Sequence, residues 1–347
     1  MSRLFSAIRP EATYSALPRQ SMQAERILIV SLDNLGDLVF ASALVPPIKA
    51  HFPKTAVTVW CKAYTAELGP LIPGVDKVVA SDPFWDRAPG RGKGELGRFA
   101  RVALSLRKER FDVAVLAAAP WRTAAAVAAL GIPARIGLLR ARNRRFLTHP
   151  LPPEDRSRPV LAEIRRLLQP LGIEPSALQY RLDGGMLEEQ RKALAERLGN
   201  VPLVALHAFA SKRNRCVNPS AWITVAETLE ARGYRPLWVG SSAELTELRQ
   251  IAGARSGWLY GDNALNGSLL KAAAALSMAR LFVGHDSGPM HIASALGVPT
   301  VGIFAPGEPN RTFPQGIGPS RVLFRESPEG ITPAAILAEI DALISAS

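Results

Sequence analysis

Short runs of apolar residues recur along this chain, separated by segments whose apolar residues are spaced three or four positions apart. Nearly continuous apolar runs are typical of strands that are covered on both faces, as in parallel sheets between helical layers. The predicted strands are residues 27–32, 57–60, 77–80 and 113–117 in the first half, and 203–206, 237–239, 258–260, 281–283 and 300–303 in the second. This alternation predicts an α/β fold with doubly wound parallel sheets.

The same alternation appears twice, which favours two similar domains. A chain of 347 residues with 48% hydrophobic content can bury two cores of medium size. The segment 179–185 has no strong periodicity and is the predicted hinge. We therefore predict a disordered tail over residues 1–25, a Rossmann-like domain over 26–182, and a second over 183–347 that ends in a helix at 333–344.

The segment 284–306 reads as the end of a strand, a turn, a helix and a second strand. Asp286 and Ser287 then lie where the strand passes into the helix, and Gly288 follows. Unpaired N–H groups and the helix dipole make such a junction suited to a phosphate. An ordinary helix cap explains the same residues, so this motif alone does not distinguish a phosphate site from a helix cap.

The first predicted strand leads into a similar turn that contains Asn34, Gly36 and Asp37. This position faces the mouth of the first domain, and we expect Asp37 to face the cleft. The turn lacks the Gly-x-Gly-x-x-Gly pattern of a dinucleotide site. A turn with a simple helix cap is the other interpretation.

Two further strand ends in the second half carry polar residues. Lys212, Arg213 and Arg215 crowd the loop after the strand at 203–206 and could hold a diphosphate, although a solvated basic loop is equally compatible. Glu244 follows the strand at 237–239 and could accept hydrogen bonds from ribose hydroxyls. Helix capping near Ser241 explains Glu244 equally well.

The net charge of +12 is concentrated in the first half of the chain. Up to Tyr180 there are 26 Lys and Arg against 15 Asp and Glu, and beyond it 16 against 15. Four arginines lie within positions 140–145, too many to be buried together. This asymmetry favours an acidic partner such as nucleic acid, an anionic membrane face or a phosphorylated glycolipid, with a merely solubilising surface as the alternative.

Cysteine usage and hydropathy exclude several classes of protein. Cys61 and Cys216 are far apart and fit neither a disulfide framework nor a zinc site. We find neither an apolar run long enough to span a bilayer nor the apolar core of a signal peptide in residues 1–25. A cytoplasmic location is expected.

Together these motifs resemble glycosyltransferase family 9, the ADP-heptose:lipopolysaccharide heptosyltransferases. The resemblance rests on Leu-Gly-Asp37 after the first strand, the His-Ala-x-x-Ser loop with its basic cluster, Gly-Ser-Ser-Ala-Glu244, and Asp286-Ser-Gly-Pro-Met-His-Ile-Ala-Ser-Ala-Leu-Gly-Val-Pro-Thr. It runs over residues 27–309 in the family's order and spacing. It implies the GT-B fold, in which two Rossmann-like domains face each other across a cleft, with the acceptor on the first and the nucleotide sugar on the second.

The resemblance also implies roles for individual residues. Asp37 matches the catalytic base, Asp286 the contact to the transferred sugar, and Glu244 the ribose contact. The remaining matches in the donor site are Ser211, Lys212, Arg215, Ser287, Gly288 and His291. The acceptor residues implied for the first domain are Asn34, Arg140, Arg142, Arg144 and Arg145. One departure is that the family commonly has Lys-Trp-Pro where this chain has Arg215-Cys-Val-Asn218.

The resulting prediction is an inverting transfer of heptose from ADP-heptose to the lipopolysaccharide inner core, by a peripheral protein at the cytoplasmic face of the inner membrane. The chain has no Asp-x-Asp motif, so we expect neither a metal nor another cofactor. The expected partners are the nucleotide sugar and an anionic glycolipid, with no nucleic acid. Alternatives are a nucleotide-sugar epimerase of the same fold and a non-catalytic binder of anionic glycans or nucleic acid.

Overall fold

The computed structural model describes residues 24–86, 92–199, 201–210, 212–253, 255, 257–261 and 267–345. The predicted tail falls almost entirely on residues 1–23, which lie outside the described residues. The described chain forms two six-stranded parallel sheets, one in each half. The predicted fold class is thereby confirmed.

The first sheet has the strand order β3-β2-β1-β4-β5-β6. Its strands are β1 (Arg26–Ser31), β2 (Ala56–Cys61), β3 (Lys77–Ala80), β4 (Val113–Leu116), β5 (Ala134–Leu138) and β6 (His149–Leu151). The helices of this half are α1 (Leu35–Ser42), α2 (Val45–His51), α3 (Leu96–Lys108), α4 (Trp121–Ala129) and α5 (Val160–Arg165).

The second sheet has the order β12-β11-β10-β7-β8-β9. Its strands are β7 (Leu203–His207), β8 (Arg235–Trp238), β9 (Leu259–Tyr260), β10 (Ala279–His285), β11 (Thr300–Phe304) and β12 (Ser320–Phe324). The helices are α6 (Glu188–Leu198), α7 (Pro219–Ala231), α8 (Ser242–Ala252), α9 (Leu269–Ser277), α10 (Gly288–Ala295), α11 (Pro309–Thr312) and α12 (Pro333–Ile344).

Both sheets have the same doubly wound topology. Counted within its own half, each runs 3-2-1-4-5-6 from one edge to the other. The strand order reverses between β1 and β4 in the first sheet and between β7 and β10 in the second. Ligands of such sheets bind beyond the carboxyl ends of the strands at this reversal. Asp37 follows β1 and Asp286 follows β10, so each lies at the reversal point of its own sheet.

The two halves meet along α1 and α10, which pack against each other. The Phe40 ring of α1 lies 4.5 Å from the His291 ring of α10 and 5.7 Å from the ring of Tyr180, which is fully buried between them. The chain crosses between the sheets after Tyr180, where Leu182 N–H donates to Ala295 O at 3.0 Å. This apolar contact brings the two reversal points toward each other.

Three strands escape sequence-based prediction, namely β5, β6 and β12. β5 lies partly inside the segment that we singled out for its arginines, and β6 is only three residues long and includes Pro150. β12 lies at an edge and is mostly exposed, so it lacks a continuous apolar run. Among the described helices, none combines the length and the hydropathy needed to span a bilayer.

Candidate active site

Asp37 is the third residue of α1, and its carboxylate folds back on the start of the helix. The Asn34 N–H donates to Asp37 Oδ2 at 2.9 Å, which fixes the carboxylate as in a capping box. Burial raises the pKa of the Asp37 carboxyl above its usual value, while the Asn34 N–H and the charge of His291 lower it. The residue is half-buried and is therefore a stronger base than a solvated aspartate.

Asp286 lies across the domain contact, directly after β10. Thr312 Oγ1 donates to its Oδ2 at 3.1 Å, and His291 Nε2 lies 3.7 Å from its Oδ1. The carboxylate is thus held from two sides, by α11 and by α10. Ser287 is the N-cap residue of α10, and its hydroxyl donates to the His285 carbonyl at 2.9 Å.

His291 lies between Asp286 and the turn that carries Asp37. It is buried, and its Nδ1 lies 3.1 Å from the Tyr180 hydroxyl, which also accepts from Gln315 N–H at 2.7 Å. A Cβ at Gly36, next to Asp37, would lie 3.3 Å from His291 Cδ2. His291 therefore contacts the Asp37 turn on one side and Asp286 on the other.

Gly288, at the start of α10, has a packing role. A Cβ at this position would lie 2.5 Å from Leu35 Cδ2 of the first half, well inside van der Waals contact. Glycine is thus needed for the close approach of α1 to α10, whether or not a phosphate binds there.

A cavity of about 470 Å³ opens between the halves next to Pro289 of α10, although Asp37, Asp286 and His291 are not among the residues that line it. Tyr64 and Glu67 line it from the first half, and Ser241, Glu244 and Pro289 are among the residues that line it from the second. It extends from the end of β8 to the first turn of α10, and its volume is in the range of small-ligand pockets.

Glu244 lines this cavity and also caps α8. Its Oε2 accepts from Ser241 N–H at 2.7 Å and from Ser241 Oγ at 2.8 Å. Glu67 Oε2 crosses from the first half to accept from Ser268 Oγ at 2.8 Å and from Leu270 N–H at 2.9 Å. One wall of the cavity is therefore an interdomain contact.

The three basic residues of the loop after β7 differ in their interactions. Arg213 forms a bidentate ion pair with Glu247 at 2.5 and 2.7 Å, whereas Lys212 is exposed and Arg215 is half-buried. Neither Lys212 nor Arg215 is among the residues that line the cavity. Ser211 lies outside the described residues.

His285 fixes the far end of this loop. Burial lowers the pKa of His285 to about 3, so its imidazole is neutral at physiological pH. The neutral Nε2 accepts a hydrogen bond from Val217 N–H at 3.1 Å. The loop is thereby attached to the end of β10, next to Asp286.

The arginine cluster is separated by the fold. Arg140 is exposed and its Nη2 lies 3.5 Å from Glu154 Oε2, and its positive charge partly opposes the rise that burial causes in the pKa of Asp33 and Asp37. Arg142, Arg144 and Arg145 are also exposed and follow in the same loop, where the Arg145 guanidinium stacks 4.9 Å from the centre of the Phe146 ring.

The loop with the arginines is organised by Asn143, which sequence reasoning overlooked. Its buried amide donates to Ala119 O and Leu138 O, both at 2.9 Å, and its Oδ1 accepts from Arg140 N–H at 3.0 Å. These three bonds fix the backbone of Arg140.

Asp33 and Lys62 are two more cleft residues that sequence reasoning missed. Burial, followed by the charge of Asp37, raises the pKa of Asp33 to about 6. The ammonium of Lys62 is 1% exposed and forms an ion pair with Asp86 at 2.6 Å. Lys62 directly follows β2, and Asp33 directly follows the strand predicted at 27–32, so the ends of these strands are the signal that could have identified both residues.

Tyr64 lines the cavity from the first half. Burial raises the pKa of its hydroxyl to about 12, with contributions from the negative charges of Asp37 and Asp33. Among the described residues, no group of three or more His, Cys, Asp or Glu side chains is arranged to hold a metal ion.

Comparison with known proteins agrees with this architecture. Lipopolysaccharide heptosyltransferase 2 of Escherichia coli K12 is 24% identical over 357 residues, covering 92% of this chain and 98% of that protein. Lipooligosaccharide heptosyltransferase 2 of Haemophilus influenzae is 25% identical over 313 residues, covering 83% and 85%.

Solved structures show the same fold. ADP-heptose lipopolysaccharide heptosyltransferase II of E. coli superposes with a TM-score of 0.77 at 21% identity, over 92% of this chain and 99% of that one. The E. coli heptosyltransferase WaaC with ADP superposes with a TM-score of 0.76 at 16% identity and the same coverage. These likenesses establish the GT-B fold.

The sequence profile of glycosyltransferase family 9 (heptosyltransferase) matches residues 99–331, about two thirds of the chain. The match covers strands β4, β5 and β6 of the first sheet and all six strands of the second, including the Asp286 motif. The chain belongs to glycosyltransferase family 9, the heptosyltransferases.

Proposed function

We propose that this heptosyltransferase moves heptose from ADP-heptose to the lipopolysaccharide inner core with inversion at the anomeric carbon. The observation that carries the proposal is the placement of Asp37 and Asp286 on either side of His291, each at the reversal point of its own sheet. The names of the relatives, which specify lipopolysaccharide and ADP-heptose, support the choice of substrates. An epimerase or a non-catalytic binder is not favoured.

Asp37 acts as the general base in this proposal. The acceptor hydroxyl gives its proton to the Asp37 carboxylate while its oxygen attacks the anomeric carbon and the bond to the ADP oxygen breaks. A single displacement of this kind inverts the anomeric centre. Such a base contributes roughly 10²- to 10⁴-fold to the rate, and a carboxyl whose pKa is raised by burial is well suited to the task.

The second domain, proposed as residues 183–347, holds the donor. Asp286 contacts the sugar hydroxyls and Glu244, in the wall of the cavity, contacts the ribose. Ser287 and Gly288 present the N-terminus of α10 to the diphosphate, and His291 completes this face. Ser211 is assigned to the donor site from the sequence alone.

Positive side chains, rather than a metal, are proposed to neutralise the leaving ADP. Lys212 and Arg215 lie on the loop that His285 attaches to the end of β10, next to Asp286. Arg215 replaces the family's usual lysine, and its planar guanidinium can form two parallel hydrogen bonds to phosphate oxygens.

The first domain, proposed as residues 26–182, binds the acceptor. Its excess of basic residues complements a phosphorylated glycolipid and an anionic membrane surface. Asn34 and Arg140 lie at the cleft, and the proposed outer contacts to acceptor phosphates are Arg142, Arg144 and Arg145. We infer a peripheral location at the cytoplasmic face of the inner membrane.

A donor screen tests this function. Purified protein is heated with ADP-, UDP- and GDP-linked sugars, and ADP-heptose should raise the melting temperature most. Transfer is then measured with and without lipopolysaccharide core acceptor in the presence of a chelator, and heptose should be transferred only when acceptor is present. Preference for a UDP or GDP sugar, or consumption of donor that ignores acceptor, would contradict the proposal.

The role of Arg215 is tested separately. Arg215→Ala removes the charge proposed to hold the diphosphate and should weaken ADP binding by roughly tenfold or more. Arg213→Ala is the matched control, because the Arg213 guanidinium is already paired with Glu247. Equal dissociation constants for wild type and Arg215→Ala, measured by calorimetry, would transfer the role to Lys212.

A further inference from the structure

An ion pair joins the two domains at the edge of the cleft. Glu154 follows β6 in the first domain, and Arg311 lies on the short helix α11 in the second. The Arg311 guanidinium is buried and forms a salt bridge with the Glu154 carboxylate. The side chains are 10% and 14% exposed, so this pair is shielded from solvent and from salt far more than a surface pair.

Glu154 also contacts a residue on the acceptor side of the cleft. Glu154 Oε2 lies 3.5 Å from Arg140 Nη2, and the charge of Arg140 acts on Asp37. One carboxylate therefore contacts an arginine of the acceptor side and an arginine of the donor domain. Because Arg140 and Arg311 share the Glu154 carboxylate, a substitution of either arginine changes the interaction of Glu154 with the other.

On the donor side, the residue next to Arg311 contacts Asp286. Thr312, the residue after Arg311, donates its hydroxyl to Asp286 Oδ2 at 3.1 Å. The helix α11 has only one turn and is bounded by Glu308, whose carbonyl accepts from Thr312 N–H at 3.1 Å. So short a helix has little stability of its own, and the Glu154 contact therefore helps to set where Thr312 lies.

Glu154 is the main counter-charge of the buried Arg311 guanidinium. Glu308 Oε2 lies 3.5 Å from Arg311 Nε, a longer contact, and is half-exposed. Within the described part of the chain, Arg311 Nη1 is buried without a hydrogen-bond partner. Loss of Glu154 would leave a buried guanidinium without its closest counter-charge, which is costly enough to move α11.

We propose that Arg311 is a positioning residue of the transfer reaction: the Glu154 carboxylate of the first domain fixes α11, and α11 fixes Asp286 through Thr312. The order of contacts is Arg140, Glu154, Arg311, Thr312, Asp286, so it runs from the acceptor side to the donor side. Asp286 is therefore correctly placed only when the two domains are in contact. The inference rests on the proposed function where Asp286 is taken to hold the transferred sugar.

Kinetic variants test this link in a double-mutant cycle. Glu154→Gln and Thr312→Val should each lower kcat for heptose transfer from ADP-heptose by roughly tenfold, with a smaller change in the affinity for ADP. The double variant should be little worse than either single variant, because both interrupt the same link. Thr312→Ser keeps the hydroxyl and should retain kcat near that of wild type.

A matched control is the surface pair Arg232–Asp341, which joins the residue after α7 to α12 at 2.6 Å outside the cleft. Asp341→Asn should leave kcat unchanged. If Glu154 had only a structural role, Glu154→Gln would lower the melting temperature, and its loss of kcat would add to that of Thr312→Val. Additive losses, or a Thr312→Val enzyme with normal kcat, would overturn the inference.

Hydrogen exchange provides a readout that needs no turnover. Glu154→Gln should accelerate amide exchange in the peptide that contains residues 309–312 by roughly tenfold, and Asp341→Asn should not. Unchanged exchange in Glu154→Gln would overturn the inference even if the enzyme were active. An inactive wild type with accelerated exchange in Glu154→Gln would instead contradict the proposed function and leave the link intact.

Discussion

The substitution Asp33→Asn should make the protein more stable at neutral pH, although it removes a charge from the cleft. Burial, then repulsion from Asp37, raises the pKa of Asp33 from 3.8 to about 6 in the folded protein. Each pH unit of such a difference corresponds to about 1.36 kcal/mol, so ionised Asp33 lowers the free energy of unfolding by up to about 3 kcal/mol. Asparagine keeps the shape of the side chain without the charge.

The pH dependence of this effect has a definite sign. Because the folded state holds the Asp33 proton more tightly than the unfolded state, the Asp33 contribution to stability falls as pH rises from about 4 to 6. Above pH 6 the destabilisation is complete, and near pH 4 the carboxyl is protonated and resembles asparagine. The advantage of Asp33→Asn should therefore be largest at pH 7.5 and vanish near pH 4.

Urea denaturation at pH 7.5 and pH 4, followed by circular dichroism, measures this difference. Asp155→Asn is the control of opposite sign, since hydrogen bonds from Ser157 lower the pKa of the Asp155 carboxyl. That variant should be slightly less stable than wild type at pH 7.5. Equal stability of Asp33→Asn and wild type at pH 7.5, or the same gain at both pH values, would refute the reasoning.

Three further predictions concern the cleft. Gly288→Ala places a Cβ 2.5 Å from Leu35 Cδ2 and should lower kcat/KM, with partial recovery in Gly288→Ala/Leu35→Ala. Because burial raises the pKa of Asp37, kcat/KM should fall with decreasing pH at a higher pH than for a solvated aspartate, which a pH profile measures. Glu244→Ala should weaken ADP binding by roughly tenfold in calorimetry, whereas Ser241→Ala, which removes the helix cap from α8, should not.

The sheets were predictable where strands are buried on both faces. The predicted strand at 113–117 contains all of β4, whose residues are all buried, and that at 300–303 falls one residue short of β11. Such strands must be apolar throughout, so the sequence signals them directly. β12 was missed because an edge strand keeps polar residues on its exposed positions, and a three-residue strand such as β6 is too short to form a pattern.

The candidate site was predictable to the extent that it follows from the ends of strands. Asp37 and Asp286 could be singled out because the carboxyl ends of parallel strands meet at one edge of a sheet. The sequence does not reveal that Glu154 contacts Arg311, since 157 positions separate them and the contact forms only where the two domains pack together.

Arg213 shows a distinction that the sequence alone does not make. It is as basic as Arg215 and lies in the same loop, but Glu247, 34 positions away, neutralises it in the fold. Charge counting cannot separate two neighbouring arginines, because the difference lies in a tertiary partner. In the same way, a count of charges does not show that the buried Asn143 fixes the backbone of Arg140, or that the Arg140 guanidinium lies 3.5 Å from Glu154.

The central claim is that a carboxylate from one domain takes the acceptor proton while the other domain holds the sugar diphosphate. The most direct measurement compares wild type and Asp37→Asn for heptose transfer from ADP-heptose, together with ADP binding by calorimetry on the same preparations. We predict a fall in kcat of roughly 10²-fold or more with an ADP dissociation constant close to that of wild type. Retained transfer by Asp37→Asn would contradict the claim.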